Sequence, residues 1–278
     1  MSQPGSQRTV VLSGLFLALF AYGAAMVATP FTQSLVGSRM GLRWTLIAGE
    51  LALAAPALLA MWLLVRAMPE LVRFQPLGQS GPPRIVALGL AFWALSLGVF
   101  EAQYVLVKPP IEYLKQFQKF HEALRPRDPL DWVFSVLAIA IAPAVCEEIL
   151  FRGLITPVVR RAAGSTLAIL ISAALFGLIH VDPMPDGTRL FYRVPFAFIL
   201  GALLAKLRLD TGSLWPSMIA HGTLNATTFL AVPLMDAPSD VLPDPQPLMA
   251  LAMLAVGSAI ARLLMRQLRL APTPPSAS

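Results

Sequence analysis

The stretch AIAIAPAVCEEILFRGLITPVV, residues 138–159, decides the fold class of this chain. It has the length and apolar character of a membrane-spanning helix, yet it carries two adjacent carboxylates, Glu147 and Glu148. A charge at bilayer depth costs roughly 2.5 to 3.5 kcal/mol on insertion scales, so an ionisable residue there is by default a functional one. The stretch therefore predicts a membrane helix that contributes to a functional site.

The composition of the whole chain is that of a polytopic membrane protein. Its 278 residues are 56% hydrophobic and 13% charged, whereas soluble domains carry roughly 25% charged residues. We expect an all-α fold in a single multi-pass membrane domain, residues 1–278, with about eight transmembrane helices, each a run of about 20 apolar residues. They are predicted near residues 9–29, 44–66, 85–107, 131–160, 166–181, 190–208, 214–233 and 247–266. Helix-breaking residues support these divisions, among them Pro30, Gly164, the turn DPMPDG at 182–187 and the proline-rich stretch 233–247.

The basic residues predict an orientation. The net charge is +6, but these residues lie between the apolar runs and not in a stripe interleaved with aromatics, so nucleic-acid binding is not expected. Their slight excess on the side of the N-terminus predicts a cell-membrane protein with both termini and the active-site opening on the cytoplasmic side. The run at 9–29 is expected to be an uncleaved first span.

Two further residues outside the acidic pair receive ordinary interpretations. The segment 108–127 has apolar residues at helical spacing between Lys and Glu, which predicts a helix lying in the membrane interface. His121 belongs to this segment and is expected to be a solvated surface residue. Cys146, the one cysteine, excludes an intramolecular disulfide and is expected to be a small buried hydrophobe.

The two carboxylates on the fourth span are predicted to differ. Glu148 and Arg152 are four residues apart and share a helix face, so the guanidinium can neutralise that carboxylate. Glu147 is turned about 100° away and is left without this partner. Its own face carries small residues that would allow a helix, a water or a substrate to approach: Ala140, Pro143 and Ala144.

Two more spans carry polar residues that can reach the same depth. Phe176 and His180 share a face at the end of span five, and His221 and Asn225 are four residues apart on span seven. Measured by helical rise from the cytoplasmic face, Glu147 lies at about 21 Å, His180 at about 22 Å, His221 at about 12 Å and Asn225 at about 18 Å. We therefore expect an active site among helices 4, 5 and 7.

This set of groups suits hydrolysis of a peptide bond. Glu147 and His180 can activate water as general bases, while His221 and Asn225 can donate hydrogen bonds to the oxyanion. The sequence contains no HExxH or GxSxG motif that would indicate another protease chemistry.

The same residues also resemble a known family. EEILFR at 147–152, FGLIH at 176–180 and HGTLN at 221–225 resemble, in order and spacing, the three motifs of the CAAX protease and bacteriocin-processing intramembrane endopeptidases. The resemblance implies an eight-helix endopeptidase with a catalytic core at 130–230. In that reading Glu147 and His180 match the water-activating pair, and His221 and Asn225 match the oxyanion-stabilising pair. Glu148, Arg152 and Phe176 would be supporting residues.

The metal and the substrate stay open at this point. Either no metal is used, or Glu147, His180 and His221 hold a zinc ion with an open position. The partners implied are membrane lipids and a protein or peptide substrate cut near its C-terminus or membrane segment, with or without a lipid modification. The alternatives are a non-catalytic membrane scaffold or bacteriocin-immunity protein, and a transporter that relays protons.

Two carboxylates outside the motifs also fall in apolar runs. Glu101 lies late in span three, near an interface, and is expected to have a structural role. Glu50 lies deeper in span two and is expected either to line the cavity or to pair with an arginine such as Arg193.

Overall fold

The computed structural model describes residues 4–75, 81–181, 188–231 and 244–270. The described residues form helices, and no strand occurs among them. The α-helices are α1 (Pro4–Met40), α2 (Leu42–Leu64), α3 (Gly81–Leu106), α4 (Ile111–Ala123), α5 (Pro129–Val136), α6 (Ala142–Glu148), α7 (Thr156–Leu178), α8 (Thr188–Thr211), α9 (Trp215–Ala231) and α10 (Pro247–Leu270). The predicted turn at 182–187 and most of the proline-rich stretch 233–247 lie outside the described residues.

Five described helices are long and apolar enough to cross a membrane. They are Arg8–Gly37, Leu42–Leu64, Gly81–Leu106, Pro129–Leu178 and Pro247–Leu268. The all-α membrane architecture is thereby confirmed, while the number of eight spans stays a prediction. The other two predicted spans, 190–208 and 214–233, coincide with α8 and α9, respectively. α8 carries several charges, and α9 has 17 residues.

The 50-residue helix Pro129–Leu178 contains two of the predicted spans. It changes direction at Gly164, whose φ of 84° lies in the left-handed region that favours glycine. The break falls in the predicted gap between residues 160 and 166, so the sequence located this turn correctly.

Two π-helical turns interrupt the same helix on either side of the acidic pair. They span Leu137–Ile141 and Ile149–Ile155. The first ends just before Pro143, which has no N–H to donate, and the wider turn accommodates the lost hydrogen bond. Single π-turns inside α-helices are frequent at functional sites.

Two local expectations were wrong. Pro30 does not end the first helix, because α1 continues through it to Met40, as membrane helices tolerate proline when neighbours satisfy the freed backbone group. His121 is not solvated, since it is 8% exposed. Its ring centroid lies 4.2 Å from that of Phe117 and 5.4 Å from that of Phe120, so two aromatic neighbours cover it.

The acidic pair lies at the centre of the packed helices. α6 contacts α2 on one side and α9 on the other, and α8 packs against both α7 and α9. α1 and α10 lie further out and expose large apolar side chains such as Phe16 and Leu248. The arrangement places the polar residues of α6, α7 and α9 inside a largely apolar shell.

Candidate active site

Glu148 and Arg152 form the predicted ion pair. Arg152 Nη1 donates to Glu148 Oε1 over 2.9 Å, and both side chains are fully buried. The contact between residues four apart is kept although Arg152 lies in the π-helical turn that follows Glu148. Removing one partner of such a pair leaves an uncompensated buried charge, which costs about 3–5 kcal/mol.

Arg152 joins three helices at this point. Its Nη2 donates to the carbonyl of Gly201 on α8 over 2.9 Å, and its guanidinium carbon lies 4.6 Å from the ring centroid of Phe176 on α7. Gly201 also allows α8 to pack closely on α7, because a Cβ there would lie 3.0 Å from Cα of Ala173. The arginine therefore holds α7 and α8 against the acidic helix.

His221 on α9 lies between the two carboxylates. Its Nδ1 is 3.1 Å from Glu148 Oε1, and its Nε2 is 3.8 Å from Glu147 Oε2. A carboxylate accepts hydrogen bonds, so Nδ1 carries the proton in the contact with Glu148. This bond fixes the ring and directs Nε2 towards Glu147, which is the way a carboxylate commonly orients a working imidazole.

Glu147 itself is buried beside this ring. It is 7% exposed, and its Oε2 has no hydrogen-bond partner among the described residues. The distance of 3.8 Å to His221 Nε2 is too long for a direct hydrogen bond. Oε2 of Glu148 is likewise buried without a partner among the described residues, but Oε1 of Glu148 already accepts from Arg152 and lies in hydrogen-bond contact with His221. Glu147 is therefore the carboxylate that is not committed to an ion pair with Arg152.

His180 approaches from the end of α7. Its Nδ1 donates to the carbonyl of Phe176 over 2.8 Å, since a carbonyl oxygen only accepts. Nε2 is then an acceptor in the neutral ring. The ring centroids of His180 and His221 lie 4.9 Å and 5.9 Å from that of Phe176, so one phenyl ring separates and supports both imidazoles.

Asn225 lies one turn beyond His221 on α9 and is half-buried. Its side chain makes no hydrogen bond to another described residue. It is therefore placed on the histidine-bearing helix as predicted, with its amide available.

His221 Nε2 lies 3.8 Å from Glu147 Oε2, so the two side chains meet although helical rise places the two residues about 9 Å apart in depth. The loop before α9 fixes the start of this helix. Ser213 and Leu214 are buried there and bind the backbone of residues 73–75, as in Leu214 N to Arg73 O at 3.1 Å. The depths themselves stay a prediction.

The small residues predicted to admit a neighbour do so. A Cβ on Gly222 of α9 would lie 3.4 Å from Ala144 Cβ and 3.6 Å from the carbonyl of Ala140. This close packing brings α9, and with it His221, onto the face of α6 that carries Glu147.

Glu50 is a third carboxylate near the site. It interacts electrostatically with Glu147 and Cys146, and its Oε2 is buried with no hydrogen-bond partner among the described residues. It does not pair with Arg193, whose electrostatic neighbours include His180 and His121. The suggested pair with Arg193 is therefore wrong, and a role for Glu50 in lining the cavity stays a prediction.

The remaining single residues have simpler surroundings. Glu101 lies near the start of α10, where its Oε2 accepts from the backbone N–H of Gln246 over 3.4 Å. Cys146 is buried and free, as expected.

A comparison with protein families follows this geometry. The family described as type II CAAX prenyl endopeptidase Rce1-like matches residues 129–227, which contain all three motifs. This segment belongs to the Rce1-like family. The family predicted from the motifs is thus confirmed, and it is a family of proteases. No curated protein and no solved structure matches the chain.

Among the described residues, no group of three or more His, Cys, Asp or Glu side chains is arranged to hold a metal ion. In the zinc alternative considered above, the ligands would be the Nε2 atoms of His180 and His221 together with Glu147, because Nδ1 of His180 is engaged by a carbonyl and Nδ1 of His221 by Glu148. Three protein ligands with an open position are the composition of a catalytic zinc site. No step below uses a metal.

Arg208 is a structural neighbour of the site that the motifs did not reveal. Its Nε donates to the carbonyl of Arg152 over 3.2 Å, inside the second π-turn of the Rce1-like segment. A π-turn shifts backbone pairing, which frees carbonyls for such contacts. The sequence offered one signal, a basic residue late in an apolar run.

Proposed function

We propose that this protein is an intramembrane endopeptidase that hydrolyses a peptide bond near the C-terminus or membrane segment of a protein substrate, in the manner of CAAX processing. The observation that carries the proposal is the position of Glu147. Its carboxylate is buried, has an oxygen without a hydrogen-bond partner among the described residues, and faces the Nε2 of an oriented histidine.

In the first step, Glu147 acts as the general base. Its carboxylate takes a proton from a water molecule, whose oxygen adds to the scissile carbonyl carbon. His180 accepts a second hydrogen bond from the same water through Nε2, the acceptor that its bond to Phe176 leaves available. Two acceptors on one water fix the direction of attack, which lowers the entropy cost of the reaction.

The negative charge that develops on the carbonyl oxygen is stabilised by Asn225 and His221. Asn225 donates from its side-chain amide. His221 donates from Nε2 when the ring holds a second proton, because Nδ1–H is committed to Glu148. Donors of this kind each contribute about 2.7–4 kcal/mol to transition-state stabilisation.

Collapse of the tetrahedral species completes the hydrolysis. The carbon–nitrogen bond breaks, the carbonyl re-forms, and the leaving nitrogen takes the proton that Glu147 acquired from water. The base is thereby regenerated. Glu148, Arg152 and Phe176 touch no reacting atom in this scheme; they hold His221, α7 and α8 in place.

The test uses full-length protein reconstituted in liposomes and synthetic peptides that end in Cys followed by two aliphatic residues and a variable residue. One set is prenylated on the cysteine and the other is not. We expect wild-type protein to release the terminal tripeptide from at least one set, and Glu147→Gln to release none. Equal cleavage by both proteins would contradict the proposal. Function in cells that Glu147→Gln restores as well as wild type would favour the scaffold or immunity alternative.

Zinc is tested separately in the same preparation. If chelator-washed protein contains no stoichiometric zinc and keeps its activity, the zinc alternative is wrong. If activity is lost with the chelator and returns with zinc alone, the metal-free scheme is wrong.

A further inference from the structure

A basic cavity lies at the ends of the helices, away from the acidic pair. Its volume is about 330 Å³, and its lining includes Glu70, Arg73, Arg160, Arg161, Arg208 and Gly212. This volume is at the small end of the range for ligand sites. The cavity collects residues that follow α2, precede the break at Gly164 and end α8, which are far apart in the sequence.

The charges in this cavity do not balance. Four guanidinium groups face one carboxylate, Glu70, among its described lining residues. Glu70 is shared with Arg161, whose Nη1 lies 3.6 Å from its Oε1. Arg208 is only 4% exposed and lies within electrostatic range of both Arg73 and Arg160. Like charges held together at a partly buried position require an anion to compensate them.

Arg208 and Arg161 are each held in place by a hydrogen bond to a backbone carbonyl. Arg208 Nη2 donates to the carbonyl of Glu70 over 2.6 Å, and Arg161 Nη1 donates to the carbonyl of Ala67 over 3.0 Å. A guanidinium has five N–H donors, so each keeps donors for a ligand. Its planar fork matches the oxygens of a phosphate group.

A second cavity adjoins the first and has an apolar wall. Its volume is about 350 Å³, and Arg161 lines it together with Arg8, Val11, Leu12 and Ala162. Leu12 is 67% exposed on a helix that qualifies as a membrane span. A lipid whose phosphate binds the arginines can therefore place an acyl chain along α1. A free phosphate ion would make no use of this apolar wall.

From these features we propose that the basic cavity binds the phosphate headgroup of an anionic phospholipid, with an acyl chain lying along α1. Excess positive charge on one side of a membrane protein is also a topology signal. Topology alone, however, requires neither the burial of Arg208 nor the convergence of four arginines on one cavity.

The test measures lipid retention by native mass spectrometry of the full-length protein in detergent. The probes are phosphatidylglycerol, phosphatidylcholine and inorganic phosphate. The variant is Arg73→Gln/Arg160→Gln, and the matched control is Arg262→Gln/Arg266→Gln, which removes two exposed arginines of α10 outside the cavity. Arg208 is left intact because it also supports the backbone of Arg152.

We expect wild-type protein to retain phosphatidylglycerol in preference to phosphatidylcholine. The cavity variant should raise the Kd for phosphatidylglycerol about 25-fold, which is about fivefold for each basic residue near an anionic lipid, and the control should change it less than about twofold. Equal weakening by both variants, or none, would overturn the proposal. Displacement of the lipid by equimolar inorganic phosphate would identify a site for soluble anions, and displacement by substrate peptide a peptide site; either result would also overturn it.

Discussion

The outer helix α1 and the inner helix α6 are both apolar in sequence, but they use their residues differently. α1 exposes Leu12, Phe16 and Leu19, each at least 67% exposed. α6 and the π-turn after it bury Glu147, Glu148 and Arg152, none more than 7% exposed. Hydropathy identifies both as membrane segments, whereas only the buried charges distinguish the helix that carries the candidate site from the helix whose large apolar side chains are exposed.

The difference between buried-charge helices and exposed apolar helices coincides only in part with the boundaries of the family match. The Rce1-like segment 129–227 supplies the acidic pair, both site histidines and Asn225. Glu50 belongs to α2, outside this segment, and lies within electrostatic range of Glu147. The surroundings of Glu147 therefore include a part of the chain that carries no recognised motif.

The largest effect is expected for the base. Glu147→Gln should lower kcat for cleavage in liposomes by on the order of 10³-fold or more, which removes most of a general base's contribution. Its thermal unfolding should stay close to that of wild type, because Glu147 holds no ion pair with Arg152. Glu101→Gln is the matched control, because it makes the same change of carboxyl to amide late in α3, outside the acidic pair. We expect it to leave kcat unchanged.

Variants of the Glu148–Arg152 ion pair, in contrast, should mainly change the stability of the protein. Glu148→Leu leaves the Arg152 guanidinium buried without its counter-charge and should lower the free energy of unfolding by about 3–5 kcal/mol. The double variant Glu148→Leu/Arg152→Leu should be less destabilised than Glu148→Leu alone. Thermal unfolding in detergent measures both, and additive losses in the double variant would show that the two residues do not act as a pair.

Part of this division could be predicted from the sequence. The Glu148–Arg152 pair follows from a spacing of four on one helix, and the fit of Gly222 against Ala144 and Ala140 follows from a face of small residues. The bond between His221 and Glu148 could not be predicted, because it depends on how α9 packs against α6. The buried loop at Ser213 and Leu214 before α9 binds the backbone of residues 73–75, and helical spacing contains no information about such a tertiary contact.

Other failures have similar causes. A proline predicted a helix end at Pro30, but neighbouring helices compensate for one lost hydrogen bond. Amphipathic spacing located α4 correctly, yet it gave no signal that Phe117 and Phe120 would cover His121. The ion pair between residues four apart was predictable from spacing. The stacking of Phe117 and Phe120 on His121 within α4, and the bond between His221 and Glu148 across two helices, were not.

A smaller effect is expected at Glu50. Glu50→Leu should lower kcat about tenfold, because it removes a buried hydrogen-bond acceptor beside Glu147, and a tenfold change corresponds to about 1.4 kcal/mol. Glu50→Gln retains an acceptor oxygen and should recover most of the activity. Thermal unfolding of Glu50→Leu should not fall, since an unpartnered buried carboxyl is itself unfavourable. Wild-type kcat in Glu50→Leu would confine the site to the Rce1-like segment.

The smallest effect is expected at His121, outside the site. Burial lowers the pKa of His121 below its ordinary value. The unfolded chain therefore binds a proton at a pH at which the folded protein does not, so the free energy of unfolding should fall as the pH drops below about 6.5. His121→Phe should weaken this dependence and leave kcat unchanged. The same pH dependence in wild type and His121→Phe would contradict this assignment.

The most direct test of Glu147 as the catalytic base compares the membrane peptides of cells that produce equal amounts of wild-type protein, Glu147→Gln or Glu101→Gln. We predict that a defined set of truncated products is present with wild type and with Glu101→Gln, and that the uncut precursors accumulate with Glu147→Gln. Peptide profiles that are identical for wild type and Glu147→Gln would contradict the account.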